Sequence, residues 1–262
     1  MKHLLLTCLF ATYYFLTFGQ TLSQNSNNRL LQKKDLTGKV LSLSLDDFDF
    51  SPLFMNTDNS VIYGFIGNNY QRIRIKFITV TKNQSSPGVY MVSGKSMVKN
   101  NICEFKGTIM ISNIKKYKTI SYGLDDQYKN KGIKGQYVIL GNYNFGENET
   151  QAHSGTFKGL FQSNFYVDKN NKIHYDDIDN ISDGFTNNQF VGQWIDYKTN
   201  QVKQCNWGDE RIPNSGNFDI GAGEFSPDGK YLKNGWQSVI DRWGSNSNSK
   251  RARQKEEAKW WQ

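Results

Sequence analysis

Proline, cysteine and histidine are all scarce in this chain. Four prolines, three cysteines and three histidines occur among 262 residues. Few prolines leave room for long uninterrupted strands, because proline is tolerated only at edges and bulges of a sheet. Past His3 only His153 and His174 remain, and neither stands in a sequence that resembles a nucleophile–base arrangement. His174 alternates with Ile173 and Tyr175 and reads as a strand residue on a wet face. No G-x-S-x-G run is present, and no cysteine has the context of a thiol protease. Helical periodicity sustained over several turns is also missing until the last residues. What the chain has in quantity is glycine, with 23 residues, and aromatics, at 14%.

The first residues read as an address. Met1-Lys2-His3 is a short basic start, Leu4 to Phe18 is apolar and uncharged, and Thr17 and Gly19 put small residues at the −3 and −1 positions of a cleavage site. The pattern predicts a signal peptide over 1–19, since the apolar run falls short of the roughly 20 residues that a membrane helix needs. Residues 20–36, rich in Asn, Ser and Gln, are expected to form a flexible mature N-terminus. The remainder divides into a single β domain over 37–240 and a basic tail over 241–262, expected to be mobile and helix-prone. No transmembrane segment is expected after cleavage. The inferred location is periplasmic or extracellular.

Export bears on the cysteines. Cys103 and Cys205 are the two left in the mature chain, and an oxidising compartment permits one disulfide between them. Two buried thiols are the alternative, because free cysteine behaves as a small hydrophobe. Neither has metal-ligand spacing, so no metal and no cofactor is called for. The net charge of +8 is spread as single residues such as Lys76, Lys95, Lys99, Lys106 and Lys158, except in Lys250-Arg251-Ala252-Arg253. Scattered lysines on strands protect edges and keep a protein soluble. No recognition motif for nucleic acid accompanies them.

Strand-like runs fill the body. VLSLSL at 40–45, Val61 to Phe65, Arg72 to Val80, Val89 to Val92, Cys103 to Ile111, Tyr137 to Phe145, Thr156 to Val167, Ile173 to Tyr175, Gln189 to Tyr197 and Val202 to Cys205 alternate or run apolar, with turn residues between them. Lys115 to Lys134 is read as a long connection. Roughly eight to ten strands at such spacing predict an all-β fold, an antiparallel barrel of calycin type or a β-sandwich. In RIRIKFITV, Arg72, Arg74 and Lys76 are expected on a solvent face opposite Ile73, Ile75 and Phe77. Phe105-Lys106-Gly107, Phe157-Lys158-Gly159 and Phe190-Val191-Gly192 share an aromatic-x-Gly core, and glycine within a strand marks a close approach or a sharp bend.

Asn206 to Phe225, NWGDERIPNSGNFDIGAGEF, has no period of its own and reads as a long shaped loop, the kind of segment that is functional when ordered. Together with aromatics nearby it supplies the candidate ligand-binding residues: Trp194, Trp207, Asp209, Glu210, Arg211, Asp219, Glu224 and Trp236. Aromatic faces with a few placed polar groups are the composition of a pocket; the same aromatics also serve as core. Arg211 is expected to pair with Asp209 or Glu210 and to hold the loop against Trp194 or Trp236. Asp176 to Gly184 mimics a calcium loop only distantly, lacking the closing Glu. No catalytic residue is assigned.

FVGQWIDYKTNQVKQCNWGDERIPNSGNFDIGAGEFSP, from Phe190 to Pro227, is similar to a block of uncharacterised exported bacterial proteins, as are GNNYQRIRIKF and HSGTFKG. That resemblance implies export and carries no activity. Gly192-Gln193-Trp194 resembles the Gly-x-Trp of lipocalins and avidins, though late in the chain, and FVGQW resembles the hairpin repeat of MORN proteins. The function expected is non-enzymatic binding, outside the cytoplasm, of a small molecule, glycan or protein. The alternative is a glycan-acting hydrolase using carboxylates of the 206–225 segment.

Overall fold

In the computed structural model the described residues are 36–39 and 44–262. The expected signal peptide, nearly all of the N-terminal linker and most of the VLSLSL run lie outside them. Within the compact unit Asp35–Gln262 the chain is nearly all β. Ten strands form: β1 (Leu36–Lys39), β2 (Ile62–Ile66), β3 (Gln71–Lys82), β4 (Val89–Val98), β5 (Asn101–Tyr117), β6 (Ile133–Glu147), β7 (Gly155–Asp168), β8 (Ile173–Tyr175), β9 (Asn187–Asp196) and β10 (Val202–Asp209). Among the described residues the α-helices are short: α1 (Ser51–Met55), α2 (Gln237–Asp241) and α3 (Ser247–Glu257).

All strand pairings are antiparallel, and the sheet closes on itself. β2, β3, β4, β5, β6, β7, β9 and β10 each pair with the next, and β10 returns to β2 with Asn206 opposite Phe65. β1 adds to β5 and β8 to β7 at the margins. The barrel-like ring follows the chain order, as hairpin connections favour. Closure satisfies the strand edges that an open sheet would leave bare.

Period-two alternation decides what fills the ring. Phe77, Phe105, Phe145, Phe157, Phe161, Phe190 and Trp207 all point inward and are buried. Their rings touch edge-on or stacked, as for Phe190 on Trp207 at 4.8 Å. An eight-stranded ring is just wide enough for side chains to fill it, and here aromatics do so. The aromatic-x-Gly echo has its meaning here. Gly159 of β7 and Gly192 of β9 face one another, and the Tyr143 hydroxyl fills the notch: a Cβ on Gly192 would lie 2.5 Å from it and 2.2 Å from the Lys158 carbonyl.

A second apolar cluster covers the ring from outside. Tyr63 and Phe65 on β2 meet Ile212, Phe218, Phe225, Trp236 and Val239 from the C-terminal third. Next to it α3 lies over β3, and this corrects two expectations. Arg72 and Arg74 are not on a wet face: they are 6% and 5% exposed, bound to Glu256 and to the carbonyls of Lys255 and Glu256. The tail read as mobile is docked, with Ser249, Ala252 and Glu256 buried. Amphipathic alternation in β3 could not reveal that a charged helix covers the charged face.

Two further corrections concern the sequence between 103 and 225. Cys103 and Cys205 are free, buried thiols, so the disulfide is not formed. Cys205 sits in the core inside the ring, while the Cys103 thiol donates toward the Ala152 carbonyl at 3.6 Å. Asn206 to Asp209 are not loop but the end of β10, bonded on both sides to β2 and β9.

Candidate binding site at the Asp209 end of the ring

Residues two apart share a face of a strand, so Trp207 places Asp209 with it inside the ring. A bulge in the β9–β10 pairing between these two shifts the strand, and bulges of this kind re-aim side chains. The partner strand is irregular at the same level, where Asn188 adopts φ +42°. Glu210, at φ +64°, turns the chain out of the ring. Non-glycine residues in the left-handed region cost energy and collect at functional sites.

Asp209 is 3% exposed. Its Oδ2 accepts three hydrogen bonds, from Thr57 Oγ1 at 2.6 Å, Tyr175 Oη at 2.8 Å and Asn188 Nδ2 at 2.8 Å. Asn188 Nδ2 also donates to the Leu53 carbonyl at 2.9 Å. The other side of that amide is unanswered: Asn188 Oδ1 is buried and has no partner. Asp209, Asn188 and Thr57 line a cavity of about 20 Å³ whose remaining walls include Phe54, Ile62, Phe77, Phe190 and Trp207, room for about one water.

Burial disfavours the charged carboxylate, and the three donors only partly offset it; the Asp209 pKa rises to about 7. Glu210 adds a small push in the same direction. Tyr175 is raised as well, first by burial and then by the Asp209 charge. A carboxyl poised near neutrality beside a cavity is the combination that marks functional positions, although structural networks can also produce it.

The other residues expected at a site are distributed elsewhere. Trp194 is inside the ring, donating Nε1 to Glu147 at 2.8 Å. Glu147 also accepts from Gly155 N at 2.8 Å and from Ser96 Oγ. Burial raises its pKa against those bonds. Glu210 lies outside, near Arg242. Arg211 pairs with neither Asp209 nor Glu210. Its NH2 group reaches Asp219 at 2.7 Å, and the guanidinium donates to the carbonyls of Gly221 and Gly223, clasping the 219–223 turn. Glu224 is exposed. Trp236 is fully buried in the outer cluster, donating to the Tyr70 carbonyl at 2.7 Å. Only Trp207 and Asp209 of that set meet at one cavity.

Thr57, Tyr175 and Asn188 were missed by sequence reasoning. Asn187-Asn188 opening a strand was the available signal, since asparagine tolerates positive φ. Among the described residues no group of three His, Cys, Asp or Glu could hold a metal ion, and no helix is long and apolar enough to cross a membrane. No family model, curated protein or solved structure matches the chain, so the roles of these residues rest on geometry alone.

Proposed function

We propose that the protein is an exported, non-enzymatic binding protein whose site is the cavity at Asp209. The observation that carries this reading is Asp209, a buried carboxyl on the wall of a cavity it shares with Asn188, Thr57 and Trp207. Export rests on the leader pattern of 1–19. The hydrolase alternative needs two carboxyls flanking one bond. Asp209 is the one carboxylate among the lining residues, so it finds no second group there.

The test is a panel of small-molecule fragments observed by protein NMR. The indole of Trp207 and the amide of Asn188 should shift together on binding. Shifts confined to the outer surface would sink the assignment of the site.

A further inference from the structure

We infer that the Asp209 cavity takes a small primary ammonium group, such as the head of a short alkylamine. This deepens the binding role proposed above and rests on it.

Around Asp209 the unspent hydrogen-bonding capacity is that of an acceptor. Every donor at its polar end is already committed: the Thr57 and Tyr175 hydroxyls and the Asn188 amide hydrogens go to Asp209 Oδ2 and the Leu53 carbonyl. What remains is the Asp209 carboxyl, whose Oδ1 receives none of those bonds. A carboxylate oxygen left unused selects a donor ligand, and a cationic one above all.

The chain supplies no cation of its own. Lys76 is the single basic residue among those lining the cavity, and its ammonium stands 5.0 Å over the Trp261 ring instead. The charged or titratable groups acting on Asp209 are Tyr175 and Glu210, neither of them positive. Trp207, Phe190 and Phe77 wall the rest of the space, and aromatic faces attract a desolvated cation. The volume, about 20 Å³, restricts the head group to an unsubstituted ammonium on a short chain and excludes trimethylated ones.

A bound cation favours ionised Asp209, so binding should follow the carboxylate's titration. With its pKa near 7, the ionised fraction differs about thirtyfold between pH 8.5 and pH 5.5. The experiment is calorimetry of the full chain with methylammonium and ethylammonium chloride at both pH values, with methanol and ethanol as neutral counterparts and potassium chloride to match ionic strength. The expected result is saturable binding of the amines at pH 8.5, about thirtyfold weaker at pH 5.5, none of the alcohols, and a loss of at least tenfold in Asp209→Asn. Should that variant not fold, the pH profile of the parent chain decides. Amine binding that ignores pH, or alcohols that bind as tightly, overturns the ammonium assignment and leaves the cavity as a site. Silence from amines while the fragment panel still marks Trp207 and Asn188 has the same meaning. Silence in both experiments overturns the binding role as well.

Discussion

At the residue scale Asp209 is the most consequential group in the molecule. In the unfolded chain its carboxyl titrates near the ordinary 3.8, and in the fold near 7. Between those values the folded state holds a proton that the unfolded state has released, so stability falls as pH rises through that window and is level above it. At 1.36 kcal/mol per unit the contribution is about 4 kcal/mol. Asp209→Asn removes the titrating group and keeps an acceptor for Tyr175. Denaturant unfolding of parent and variant from pH 4 to pH 8 should show their stability difference swinging by about that amount. Parallel profiles would mean that Asp209 is ionised in the fold at neutral pH.

At the scale of elements, β3 and α3 show how far a strand pattern can be read. The alternation of Ile73, Ile75 and Phe77 against Arg72, Arg74 and Lys76 places the strand and its inner face correctly. It says nothing of what lies over the other face, because burial of a charge depends on a partner remote in sequence. Glu256 is that partner. Burial pushes its carboxyl up, but the two Arg72 bonds, Ser238 and Arg74 outweigh this and hold it down at about 2. Its contribution is therefore complete above the ordinary carboxylate range and lost as pH falls through about 2. Glu256→Gln leaves two guanidiniums buried against one neutral amide, and removing one member of a buried pair costs about 3–5 kcal/mol. The expected outcome is a matching drop in unfolding free energy at pH 7 with protease cleavage appearing first after Arg251 or Arg253. A drop below about 1 kcal/mol would show α3 to be held by its other contacts.

At the scale of the whole molecule, the all-β class, its antiparallel character and most strand positions were legible, because period-two alternation and turn residues are local signals; the closure of the ring, left open between barrel and sandwich, was not. The site was half legible. Trp207 and Asp209 stood out by composition, yet Thr57 after α1, Tyr175 on β8 and Asn188 on β9 are brought together only by the fold. The cysteines show the limit from the other side: their even count permits a bridge, and only the fold shows Cys103 on β5 and Cys205 on β10 as separate buried thiols. Thiol labelling without reductant should modify both Cys103 and Cys205 in denaturant and neither quickly in the folded protein, where burial also pushes both thiols up. Absence of label in denaturant would restore the disulfide.

The seam between β2 and β10 joins the first strand of the ring to the last. A chain delivered from its N-terminal end cannot seal until its final third has arrived. The outer aromatics Tyr63 and Phe65 wait equally long for Phe218, Phe225 and Trp236. Non-local pairing of this kind slows folding, and in stopped-flow refolding the burial of Trp207 and of Trp236 should occur in one slow phase; two well-separated phases would argue against a common closing event. Until β10 pairs with β2 the ring keeps two unpaired strand edges, and the sealing of its interior waits on that last pairing.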